Sequence, residues 1–233
     1  MALLIRKELT GNFLLGVWKI EEGEAWYFNN PILAGELLNR VERYKSVQRK
    51  LQTIAVPILI ETLLPGESNL EFYHSGNNQP LFVEAPYKLS ITHSDNMVAV
   101  LLSGETAAGV DIQRHSSKVK RIAHKFMNDE EKNGYEKVPD SDKLYYLNVL
   151  WGAKESMFKL YGKGGLDFRE NLLVHAFDVK PQGDFTGVIR KGKTMIHIKG
   201  VYTKLGNFVL VYVLENQRDF SGERPTSDNE QHI

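Results

Sequence analysis

YKLSITHSDNMVAVLLSGETAAGVDIQ, residues 87–113, decides the fold. Three apolar runs stand in it, at 87–92, 97–102 and 108–112. His93-Ser94-Asp95-Asn96 and Ser103-Gly104-Glu105-Thr106 separate them. Short β-forming runs bounded by Ser, Asp, Asn and Gly predict three successive strands. Upstream, residues 13–20 read as a strand ending at a Glu22-Gly23 turn, and Trp26-Tyr27-Phe28 as a further short strand. Residues 36–64 read as helical, with Leu37, Val41, Leu51, Ile54, Ile58 and Leu59 at suitable spacings. Pro57 predicts a kink or break there, because an interior proline costs about 3 kcal/mol. Residues 69–73 are a candidate strand.

Downstream, a helix is expected over 117–126, with Ser116 or Ser117 as N-cap, and a short one over 128–137. The strongest helical signal runs over 144–161 and stops at Gly162, Gly164 and Gly165. Strands follow at 185–190, 194–199 and 208–214, with hairpin loops at Lys191-Gly192-Lys193 and Leu205-Gly206-Asn207. Residues 216–233 are polar and read as a disordered tail. Each half thus combines helices and strands, an α+β organisation with a boundary at 103–108. The expected divisions are 1–105, 106–215 and the tail 216–233.

Composition excludes several classes. The chain has 233 residues, 42% of them hydrophobic, enough to bury a core. Lys+Arg and Asp+Glu are both 29, which argues against bulk nucleic-acid binding. No cysteine is present, so a disulfide scaffold, a thiolate zinc site and a cysteine nucleophile are ruled out. The longest strongly apolar stretch, residues 54–60, is too short to span a bilayer. Arg6, Lys7 and Glu8 stand where a signal peptide would be apolar. A soluble cytoplasmic protein without a membrane partner is expected.

Two stretches carry candidate chemistry. In Gly109-Val110-Asp111-Ile112-Gln113 a carboxylate ends an apolar strand. In Trp151-Gly152-Ala153-Lys154-Glu155-Ser156-Met157-Phe158-Lys159, the spacing i, i+4, i+8 puts Trp151, Glu155 and Lys159 on one helix face. Singly, each is ordinary: a strand-end Asp is commonly a turn residue, and a Glu–Lys pair at i, i+4 is commonly a solvated pair. A third stretch, Leu89-Ser90-Ile91-Thr92-His93-Ser94, precedes both.

Taken in order, the three stretches resemble the motifs of the 4′-phosphopantetheinyl transferase superfamily, in its larger, monomeric two-repeat type. That pattern has a strand ending Ser-His-Ser, then Gly-Ile/Val-Asp-Ile/Val-Glu, then Trp/Phe-x-x-Lys-Glu-x-x-x-Lys. The resemblance implies a pseudo-two-fold pair of similar α+β halves with antiparallel sheets and an active site in the cleft between them. It implies transfer of the phosphopantetheine arm of coenzyme A to a serine of an acyl or peptidyl carrier protein, as in fatty-acid biosynthesis, with Mg²⁺. A relative that binds coenzyme A or a carrier without turnover is the alternative. Such chemistry asks chiefly for positioning and charge neutralisation. Mg²⁺ typically takes one or two carboxylates plus substrate phosphates.

By the same resemblance Asp111 and Glu155 are metal ligands, and Glu155 or a water accepts the serine proton. Lys159 reaches a phosphate, and Thr92 and His93 belong to the coenzyme A site. Lys154, turned off the Glu155 face, reads as support behind the site or as structural, and Trp151 as packing. Thr92 replaces the usual serine of the first motif. Gln113 stands where this type often has a third metal-binding glutamate, and offers only a neutral carbonyl. The arginine expected in the early helix for the 3′-phosphate of coenzyme A falls near Pro57 and is absent. Arg43, Lys45, Arg49 and Lys50 are nearby, and Arg49 is the expected substitute.

Overall fold

The computed structural model describes residues 2–10, 12–104 and 106–215. The tail expected at 216–233 lies outside the described residues. The elements, in chain order, are β1 Leu3–Leu9, β2 Phe13–Lys19, α1 Glu24–Phe28, α2 Gly35–Glu42, α3 Val47–Leu63, β3 Phe72–His74, β4 Pro80–Phe82, β5 Lys88–Ser94 and β6 Met97–Ser103. They continue with β7 Ala108–Arg114, α4 Lys118–Phe126, α5 Asp129–Glu136, α6 Asp140–Tyr161, β8 Leu172–Val174, β9 Gln182–Lys191, β10 Thr194–Leu205 and β11 Phe208–Glu215. The fold is α+β with two antiparallel sheets, ordered β1-β2-β6-β5-β4-β3 and β7-β11-β10-β9-β8. Among the described residues no helix is long and apolar enough to cross a membrane.

The three strands of residues 87–113 form, but they do not share a sheet. β5 and β6 make a hairpin in the first sheet, with Ser94 opposite Met97. β7 opens the second sheet and pairs only with β11, Asp111 opposite Val211. A hydrophobic cluster joins the two sheets. Phe13, Leu15, Val17, Met97, Ala99 and Leu101 come from the first, and Val110, Ile112, Leu210 and Tyr212 from the second. Each sheet also has its own core, against α3 in one case and α6 in the other.

The structure departs from the sequence reading in several places. Trp26-Tyr27-Phe28 is not a strand but part of α1. Its Tyr27 is buried, donates to Glu22 at 2.9 Å and accepts from the Trp18 indole at 3.0 Å. The helical stretch breaks not at Pro57 but at residues 43–46, where the Ser46 side chain accepts the Arg49 N–H and starts α3. Pro57 sits inside α3, which continues because Ile54, Ala55, Val56, Ile58, Leu59, Ile60 and Leu63 are all buried. At roughly 1.5–3 kcal/mol for each large side chain, their burial outweighs the proline cost of about 3 kcal/mol. The short strands β3, β4 and β8 and the N-terminal β1 complete the sheets. Of these, only β3 overlaps a strand expected from sequence.

The C-terminal helices form as expected. Asn128 and Glu131 build a capping box at the start of α5. Gly162 closes α6 in the left-handed conformation, φ 69°.

Candidate active site

The site begins with two glycines that let α6 lie on the second sheet. A Cβ on Gly109 would stand 1.9 Å from the Ser156 carbonyl oxygen, so only glycine admits the helix backbone there. A Cβ on Gly152 would come within 2.8 Å of Val211. Ser156 fixes the approach by donating to the Val211 carbonyl at 3.1 Å. Glycine at the head of the Gly-Val-Asp-Ile-Gln stretch therefore has a structural cause: it brings Glu155 and Lys159 to Asp111.

Lys159 Nζ donates to Asp111 Oδ1 at 2.8 Å and to the Val110 carbonyl at 2.9 Å. Asp111 is only 7% exposed. Glu155 makes no hydrogen bond or ion pair among the described residues. Burial, and then the charge of Asp111, push its carboxyl up to about 7, against a smaller opposing pull from Lys159. Two carboxylates within electrostatic reach of each other, with Lys159 bonded to one of them, form a site suited to a cation.

The first motif works through its alternation. Ser90, Thr92 and Ser94 point to one side of β5 and meet the outer edge of β7. Their hydroxyls accept the N–H groups of Val110 at 3.1 Å, Ile112 at 3.2 Å and Arg114 at 3.2 Å. These are the alternate β7 amides that β11 leaves unpaired. Serine or threonine serves equally for this, which accounts for Thr92 where serine is usual.

His93 takes the other side of β5. The Arg49 guanidinium of α3 lies against its ring. Burial, then Arg49 and Lys159, hold the His93 imidazole down at about 4, so it is neutral at pH 7. Both line a cavity of about 330 Å³ together with Arg40, Tyr44, Gln52 and His74. Among the described residues no carboxylate lines this cavity. Arg40 Nε is buried without a hydrogen-bond partner, and its guanidinium stands 5.2 Å over the Phe72 ring.

The sequence-predicted residues thus divide into three groups. Asp111, Glu155, Lys159 and Thr92 converge. His93 and Arg49 stand together at the adjoining cavity. Gln113 turns its amide nitrogen to the Asn148 carbonyl at 2.7 Å, two helical turns before Glu155. Of the other basic residues near the early helix, Arg43 lines a neighbouring, larger cavity of about 720 Å³, which shares Arg40, Phe72 and His74 with the first. Arg40, Tyr44 and His74 were not singled out from sequence. Arg40 and Tyr44 share a helical spacing, but nothing in the sequence brings His74 to them.

Lys154 is fully buried, ion-paired with Glu131 at 2.7 Å and bonded to the carbonyls of Phe126, Phe168 and Leu172. Trp151 packs on Phe126 and Phe168. Both fit the structural roles read from sequence. Among the described residues no group of three or more His, Asp or Glu is arranged to hold a metal, so any cation here rests on the two carboxylates.

Comparison with known proteins points the same way. Residues 107–213 match the family model of the 4′-phosphopantetheinyl transferase superfamily. The chain is also similar to 4′-phosphopantetheinyl transferase gsp of Aneurinibacillus migulanus, 28% identical over 127 residues. That match covers 54% of this chain and 52% of the relative, so the chain spans about half the length of the curated protein it matches.

Proposed function

Starting from a chain whose residues 107–213 match the family model of the 4′-phosphopantetheinyl transferase superfamily, we propose that it transfers the phosphopantetheine group of coenzyme A to a serine of an acyl or peptidyl carrier protein. The observation that carries this reading is an adjacency. A two-carboxylate, one-lysine cluster lies within electrostatic reach of His93, which lines a cavity together with two guanidiniums and a second imidazole. The cavity suits the phosphates of the nucleotide end, and the cluster suits the pyrophosphate.

In this reaction the serine oxygen bonds to the β-phosphorus of the pyrophosphate. The bond from that phosphorus to the bridging oxygen breaks, and adenosine 3′,5′-bisphosphate leaves. Glu155 or a water takes the serine proton. Lys159 neutralises phosphate charge as a point cation. Arg49 and Arg40 hold phosphate oxygens, with His93 donating from a ring nitrogen.

The donor set also fits a divalent cation of the Mg²⁺ type, with Asp111 and Glu155 as its holders. Gln113 contributes at most its carbonyl oxygen, since its nitrogen is engaged with Asn148. Such a cation supplies charge neutralisation at the pyrophosphate. We propose that the protein is cytoplasmic and, as the resemblance implies, acts as a monomer on its carrier.

The test is incubation with coenzyme A, Mg²⁺ and an apo carrier protein. The expected result is a carrier heavier by one phosphopantetheine and one equivalent of adenosine 3′,5′-bisphosphate. Retention of coenzyme A with neither product would identify a binding protein instead.

A further inference from the structure

The three hydroxyls of β5 that meet β7 are not equivalent. Ser90 and Ser94 accept one N–H each, from Val110 and Arg114. Thr92 accepts the Ile112 N–H and so turns its own proton elsewhere, onto Asp111 Oδ1 at 3.1 Å. Lys159 reaches the same oxygen at 2.8 Å. Both contacts fall on Oδ1. Thr92 is itself 5% exposed and held by backbone on a strand of the other sheet, so it has little freedom to follow a rotating carboxylate.

We infer that Thr92 is a positioning residue, which fixes the Asp111 carboxylate through Oδ1 so that Oδ2 is the oxygen offered to a divalent cation. The inference rests on the cation reading of the Asp111–Glu155 pair given above. It gives the β5–β7 junction a function beyond cohesion: the first sheet sets the orientation of a ligand carried by the second. Groups that orient a metal ligand commonly change metal affinity by about 10–100-fold when removed.

The test measures Mn²⁺ binding to the full chain by electron paramagnetic resonance, with Mn²⁺ alone as the probe. Thr92→Val keeps the shape and deletes the hydroxyl; affinity should fall about tenfold or more. Thr92→Ser restores the donor and should bind close to wild type. Ser90→Ala leaves an equally buried N–H, that of Val110, without its acceptor, yet touches no part of Asp111. It should lose stability comparably and keep its Mn²⁺ affinity. If the valine variant does not fold, Thr92→Ala, which leaves room for a water over the Ile112 N–H, carries the same comparison. Wild-type affinity in the hydroxyl-free variants, or an equal loss in Ser90→Ala, overturns the positioning role alone. Absence of Mn²⁺ binding by the wild type overturns the cation reading, and the inference with it.

Discussion

Helix α6 carries two lysine–carboxylate clusters that use the same residue types for opposite ends. In the first, Lys154 and Glu131 have no side-chain exposure at all. Lys154 Nζ has four acceptors, the Glu131 carboxylate and three backbone carbonyls. Glu131 in turn accepts the Asn128 and Val174 N–H groups. Nothing in that cluster is left for a ligand, and it ties α4, α5, β8 and the segment around Phe168 to α6. In the second, one residue along, Glu155 has no hydrogen-bond partner among the described residues, and Lys159 keeps a quarter of its side chain exposed. A saturated, sealed cluster supports the fold. An unsaturated, partly exposed one is where chemistry can occur, because its partners are still to come.

The comparison breaks hardest in the first cluster. Lys154→Met or Glu131→Gln leaves an uncompensated buried group, and either should lower stability by about 3–5 kcal/mol in urea unfolding. A loss below about 1 kcal/mol, the value of an exposed pair, would make this cluster no more structural than a surface one.

The second cluster should respond in the other direction. The folded chain binds the Glu155 proton more tightly than the unfolded chain, since its carboxyl stands at about 7 against an ordinary 4.5. Stability therefore falls as pH rises from about 4.5 to about 7. Glu155→Gln removes that fall. The variant should match wild type at the acid end and be more stable above pH 7, by up to a few kcal/mol. Parallel stability–pH curves for the two proteins would contradict the strained state of Glu155.

The smallest effect is expected at Gln113. A glutamate there loses the donor to the Asn148 carbonyl and has to turn away. In a transfer assay the half-saturating Mg²⁺ concentration of Gln113→Glu should move by well under the tenfold that a ligand or its direct support commands. A tenfold fall would make position 113 part of the second cluster.

Much of this was legible in the sequence for local reasons. Asp111, Glu155 and Lys159 stood out at a strand end and at i, i+4 spacing and took their roles from the resemblance, and Gly162 sits where a helix end requires it. Lys154 was separable from Glu155 because neighbours on a helix point apart by about 100°. What depends on tertiary contact was not legible. Pro57 is tolerated only because its helix is buried, and Trp26-Tyr27-Phe28 is helical because Tyr27 fills a hole beside Trp18. Arg40 and His74 meet at the cavity through folding of α2 against β3. The hydroxyl junction was visible as Ser90, Thr92 and Ser94 at period two, but its partner strand was not.

The division of labour between the clusters is tested most directly by the rate of phosphopantetheine transfer per folded molecule, in Glu131→Gln and Glu155→Gln, below both melting transitions. Glu131→Gln, though less stable, should transfer at near the wild-type rate. Glu155→Gln, though no less stable, should be slower by about 10²-fold or more, the scale of losing a general base. Equal rates in Glu155→Gln and wild type, or a rate lost in Glu131→Gln and kept in Glu155→Gln, would contradict the assignment.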